Sequence, residues 1–136
     1  MKHYHTLIKL KKREVDGLRK QLGNLNNQRA ILEQLKQHLI DELEHEITMA
    51  QSLVDLSGFF GDFSDSIKIR EEKVDKEILS IDKQITLLTD KMMFAFGEQK
   101  KFELAQEAKE QREQEKRDKA EQDMFDELAG QRAHSS

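Results

Sequence analysis

Cysteine, proline and tryptophan are absent from this 136-residue chain, and tyrosine occurs once. Without cysteine there is no disulfide framework, no thiol nucleophile and no thiolate zinc site, as suits a reducing compartment. Without proline nothing breaks a helix by ring geometry. Alternating valine-rich runs are missing as well, so nothing signals a sheet. No apolar stretch approaches the roughly 18 residues a membrane span needs. The start, Met1 to Lys9, lacks the apolar core of a signal peptide. The expectation is a cytoplasmic chain without stable membrane insertion. Hydrophobic residues make up 36% against 37% charged, enough apolar surface for a seam but not for a compact globule.

What is present is Glu, Lys, Gln and Leu in quantity, arranged in two ladders with a seven-residue step. Leu18, Leu25, Leu32, Leu39 and Leu53 form one row of the first half, with Val15, Leu22, Leu43 and Ala50 beside it. Ile67, Val74, Ile81, Leu88, Ala95 and Phe102 form one row of the second half, with Ile78, Ile85 and Met92 beside it. Paired rows of this kind make an a/d seam. The fold class expected is therefore all-α, a single long two-helix antiparallel coiled-coil hairpin. Its parts would be helix 1 over about 4–56, a tip loop over 57–64 in which Gly58 turns left-handed, helix 2 over about 65–129 and a tail over 130–136. An antiparallel seam sets Leu39 opposite Ile78, Leu32 opposite Ile85 and Leu25 opposite Met92. Arg29, Lys36 and Glu46 interrupt one row and Glu71 and Gln99 the other, either as long stems with solvated heads or as polar register markers.

Charge is graded along the chain. Residues 1–20 hold seven Lys/Arg against Glu14 and Asp16, whereas residues 41–65 hold seven acids and no Lys or Arg. Acid–base pairs four apart, Asp16 with Lys20, Glu72 with Lys76, Glu113 with Arg117 and Glu115 with Lys119, support the helices by about 0.2–0.5 kcal/mol each. Between Ala108 and Ala120 there is no apolar residue. Lys109 to Lys119 is thus expected as a solvated overhang beyond helix 1, leading to an apolar cluster of Met124, Phe125 and Leu128.

No phosphate-binding glycine loop, nucleophile elbow or desolvated carboxylate pair is present, so the expectation is a protein with no catalytic residue, cofactor or enzymatic activity. His3-x-His5 and Glu44-His45-Glu46 do not place three ligands on one helical face, and no metal site is expected. Phe59, Phe60 and Phe63 crowd the tip. They either plug the open end of the seam or offer a partner an apolar patch with an acidic rim. The terminal cluster has the same two readings, a stabilised helix end or a surface for insertion into another protein.

A basic first helix with Leu7, Glu14 and Leu18, a mid-chain tip, a Glu/Gln/Lys-rich second helix and the ending Asp126-Glu127-Leu128-Ala129 followed by Arg132 together resemble the FliJ family of the flagellar type III export apparatus. The similarity spans nearly the whole chain, although the Gly-Phe-Phe-Gly tip is not a family feature. The resemblance implies a monomeric central stalk, similar to the coiled coil of the rotary ATPase γ subunit. It would insert its terminal end into the export ATPase hexamer, stimulate it, link it to the membrane export gate and handle export chaperones. On this reading Met124, Phe125, Asp126, Glu127 and Leu128 face the ring with Lys9, Lys11, Lys12 and Arg13 flanking them, and Phe59, Phe60 and Phe63 face the gate. The protein would sit in the cytoplasm, peripherally on the membrane apparatus, with no nucleic acid bound. Two alternatives stand beside it: a homodimerising scaffold or tether, and a nucleic-acid-binding arm like the helical hairpin of seryl-tRNA synthetase, for which the acidic half is unsuited.

Overall fold

The computed structural model describes the backbone over residues 2–52 and 57–135, and side-chain surroundings over 3–49, 51 and 61–134. It holds two helices, α1 (Lys2–Ser52) and α2 (Ser57–Ser135), packed against each other, with no strand among the described residues. Contacts divide the chain into two units. Unit 1 comprises Met1–Val15 with Phe94–Ser136, and unit 2 comprises Asp16–Met93.

Burial follows the two ladders. In α1 the half-buried or buried positions include Ile8, Val15, Leu22, Arg29, Lys36 and Leu43 on one row and Lys11, Leu18, Leu25, Leu32, Leu39 and Glu46 on the other. In α2 they include Ile67, Val74, Ile81, Leu88, Ala95 and Phe102 beside Glu71, Ile78, Ile85, Met92 and Gln99. A row inclined at 3.5 residues per turn stays on the partner as both helices coil, which is why these rows lose solvent along their length. The surroundings of Ala50, and Leu53 altogether, lie outside the described residues.

In unit 2 the helices run antiparallel, as two ion pairs record. Arg29 meets Asp82 at 2.7 Å and Lys36 meets Asp75 at 2.8 Å, a step of seven up α1 and seven down α2. The core cluster is Leu39, Ile67, Val74 and Ile78, with Leu32, Leu43 and Phe63 packed on it. Leu39 and Ile78 thus share the core as expected. The axial register is nevertheless set about one turn differently, because Leu32 and Leu39 line grooves with Ile81 and Val74, each four residues before the expected partner. Ile67, at 1% exposure, is the best-buried side chain of this cluster. Between Leu25 and Leu39 the half-buried Arg29 and Lys36 occupy seam positions and dilute the apolar contact.

Unit 1 is a thinner contact. Ala95, fully buried, lets α1 approach, and Gln99 is buried at 7% exposure with its amide donating to Glu103 Oε1 at 3.0 Å. Lys109 lies over the Tyr4 ring, its Nζ 5.9 Å from the centroid, and both residues are half-buried. The solvated overhang therefore begins after Glu113 rather than at Lys109, since the lysine stem covers an aromatic face while its ammonium stays wet.

Two expected boundaries are corrected. Residues 57–64, expected as a tip loop, belong to α2, and Gly58 is helical rather than left-handed. Without proline nothing forbids the helix there, and a helical course carries Phe63 one turn ahead of Ile67, onto the core. That burial offsets the cost of about 1 kcal/mol per helical glycine. Residues 130–135, expected as a tail, also remain in α2, with Arg132 and His134 in its last turn, where positive charge faces the helix carbonyl end favourably.

Candidate partner-binding surfaces

From residue 114 to 134 every α2 side chain is exposed. The helix is held there by its own surface ladder: Gln111 donates to Glu115 at 3.5 Å, Gln114 to Asp118 at 3.0 Å and Gln122 to Asp126 at 3.4 Å. Gln–acid pairs four apart stabilise an isolated helix much as ion pairs do. They take the place of the acid–base pairs expected here, since Arg117 donates to Gln114 at 2.9 Å instead of meeting Glu113. Near the start of α1 the same shift occurs, with Asp16 beside Arg19 at 3.8 Å rather than Lys20. Residues three apart are as close on a helix surface as residues four apart, and the long arginine reaches either way.

Met124, Phe125 and Leu128 are exposed, Phe125 at 63%. With Ala129 and Arg132 they fall at i, i+1, i+4, i+5 and i+8, one continuous stripe of the helix, and four of the five line a shallow recess. Asp126 and Glu127 point away from that stripe, so the acidic pair and the apolar residues present different faces. Ala129 and Arg132 were legible as members from spacing alone.

The four basic residues of α1 do not flank this stripe. Lys12 lies at the level of Glu103, twenty-one residues before Met124, or about 30 Å along the helix. Lys11 is on the seam, half-buried and paired with Glu14 at 3.1 Å. Lys9 and Arg13 are exposed, and Lys9 and Lys12 line a recess with His5, Ile8, Glu103 and Gln106. Glu103 is held below the ordinary carboxylate range, first by the Gln99 hydrogen bond, then by that of Lys100 and by the charges of Lys100 and Lys12. Phe63 is half-buried and packs on the core cluster of unit 2, whereas the side chains of Phe59 and Phe60 lie outside the described residues. Among the described residues no three metal-ligating side chains converge and no helix is long and apolar enough to cross a membrane.

These features define an all-α antiparallel hairpin with an exposed helical extension. No family model matches the chain, and neither a curated protein nor a solved structure does.

Proposed function

We propose that this chain is a non-enzymatic stalk of a flagellar or related type III protein export apparatus. The end of α2 inserts into the hexameric export ATPase and stimulates it, and the region around Ser57 faces the membrane export gate. The protein works in the cytoplasm, peripherally on that membrane complex, and export chaperones are further partners. One observation carries the reading: the apolar stripe of Met124, Phe125 and Leu128 is held out on a helix that its own hydrogen-bond ladder stabilises and that α1 leaves exposed. An apolar stripe on one face of a helix is the form in which helices enter a groove in another protein. The resemblance supplies the identity of that partner. The run of seven acids with no Lys or Arg over residues 41–65 would repel a phosphate backbone, which favours a protein partner over a nucleic acid.

The test is the hydrolysis rate of the export ATPase with the chain added. Phe125→Ser with Leu128→Ser is expected to abolish stimulation while helicity stays unchanged, since both side chains are exposed. Equal stimulation by a chain ending at Lys119 overturns the proposal.

A further inference from the structure

The two flanks of the seam in unit 2 differ. One is closed by charge, where Arg29 and Lys36 reach Asp82 and Asp75. The other is open. There Gln28, Ile31 and Leu32 of α1 and Glu77, Ser80 and Ile81 of α2 line a groove of about 380 Å³, and Leu35, Arg70 and Lys73 continue it.

Seven-residue repetition extends this flank along both helices. On α1, Gln21 and Asn24 precede Gln28 and Ile31, so the run Gln21, Asn24, Gln28, Ile31 and Leu35 contains no charge. On α2, Gln84 and Lys91 follow Glu77, and Leu87 follows Ser80. Leu87 is 62% exposed and Ile31 63%. Glu77 and Lys91 are exposed too, and neither has an ion-pair partner among the described residues.

Gln84 lies midway between Glu77 and Lys91, and that symmetry identifies an occupant. We infer that a second copy of this chain covers the open flank, the two α2 helices crossing antiparallel about a two-fold axis at Gln84. A two-fold contact must be self-complementary, each patch meeting its own inverse. About this axis Glu77 meets the partner's Lys91 and Lys91 meets the partner's Glu77. Leu87 meets the partner's groove at Ser80, where a small side chain leaves room for a large one between Ile31 and Ile81. The acid and the base sit at equal distances from a neutral centre, so the surface complements its own inverse, whereas an unrelated helix of one sign would meet one charge well and the other badly. The inference does not rest on the stalk reading, because the terminal stripe has no part in the contact, and it puts a reversible dimer in place of the monomer that the resemblance implies.

The experiment is sedimentation of the full chain over a wide concentration range, at low and moderate salt. A monomer–dimer equilibrium is expected. Glu77→Lys alone and Lys91→Glu alone each place like charges together twice per dimer and should weaken association by about tenfold. The double variant Glu77→Lys/Lys91→Glu restores the pairing and should dimerise as the parent does. Leu87→Asp should leave a monomer. Circular dichroism monitors folding, and since all three positions are exposed, helicity should stay constant. A parent chain that is monomeric throughout, a dimer indifferent to the single reversals, or a double variant that is not rescued overturns the inference. ATPase stimulation, measured separately with Leu87→Asp, keeps a failure here distinct from a failure of the stalk reading.

Discussion

Position on the seam decides what a residue contributes. Leu39, at 3% exposure, is fixed among Ile67, Val74 and Ile78. Leu39→Ala should cost about 2–5 kcal/mol, because two helices have no second layer to collapse into the cavity. Leu104, exposed on α2, should change stability by less than about 0.5 kcal/mol when replaced by Ala. Paired thermal melts check this, and equal effects would contradict the burial pattern. Gly23 lies inside α1, and a methyl group there would meet nothing within 4 Å. Gly23→Ala should therefore stabilise by about 0.4–1 kcal/mol, by restricting the unfolded chain and improving helix propensity. Denaturant midpoints read the gain.

At the scale of the helices, the pairings across and along the seam give stability a pH dependence at both extremes. The hydrogen bond from Lys36 to Asp75, reinforced by charge, raises the lysine above its usual value of about 10.4. A raised folded value means that this contribution is complete below the unfolded value and is lost as pH rises through the folded one. Arg29 beside Asp82 is raised in the same way and stays charged throughout. Glu103 is depressed, chiefly by Gln99, so its contribution is complete above the unfolded carboxylate value and is lost as pH falls through the lowered one. A melting-temperature profile should thus show a plateau falling off on both sides. Lys36→Met should flatten the alkaline limb and Glu103→Gln the acid limb; unchanged limbs would remove these pairings from the account. The exposed end of α2 depends on Gln–acid pairs instead, so Gln114→Gly should fray that segment by hydrogen exchange while leaving the melting temperature of the hairpin nearly unchanged.

For the molecule as a whole, basic charge and apolar surface do separate work in the proposed function. Lys9 and Arg13 are exposed on α1. Replacing both with Ala should slow association with the ATPase mainly at low salt, where screening is weak, and leave dissociation nearly unchanged. Stopped-flow measurements at two ionic strengths separate the two rates. A loss confined to dissociation would place these residues in the contact itself rather than in steering toward it.

The helical class, both seam rows and the exposed terminal stripe were legible in the sequence, because heptad spacing and an apolar-free stretch are local properties of the chain. Val15, Leu22 and Leu39 on α1, and Ile67, Val74 and Ile81 on α2, were all assigned by spacing and all are buried. Axial register was not legible. Sliding one helix past the other by a turn keeps every row facing its partner, and only the three-dimensional meeting of Arg29 with Asp82 and Lys36 with Asp75 selects one level. That same choice closes one flank of the seam and leaves the other as a groove at Ile31 and Ser80. It also seats Phe63 on the core, which removes a residue that composition alone offered as surface. Which face a residue occupies is settled within one helix; which neighbour it meets there is settled only by both helices together.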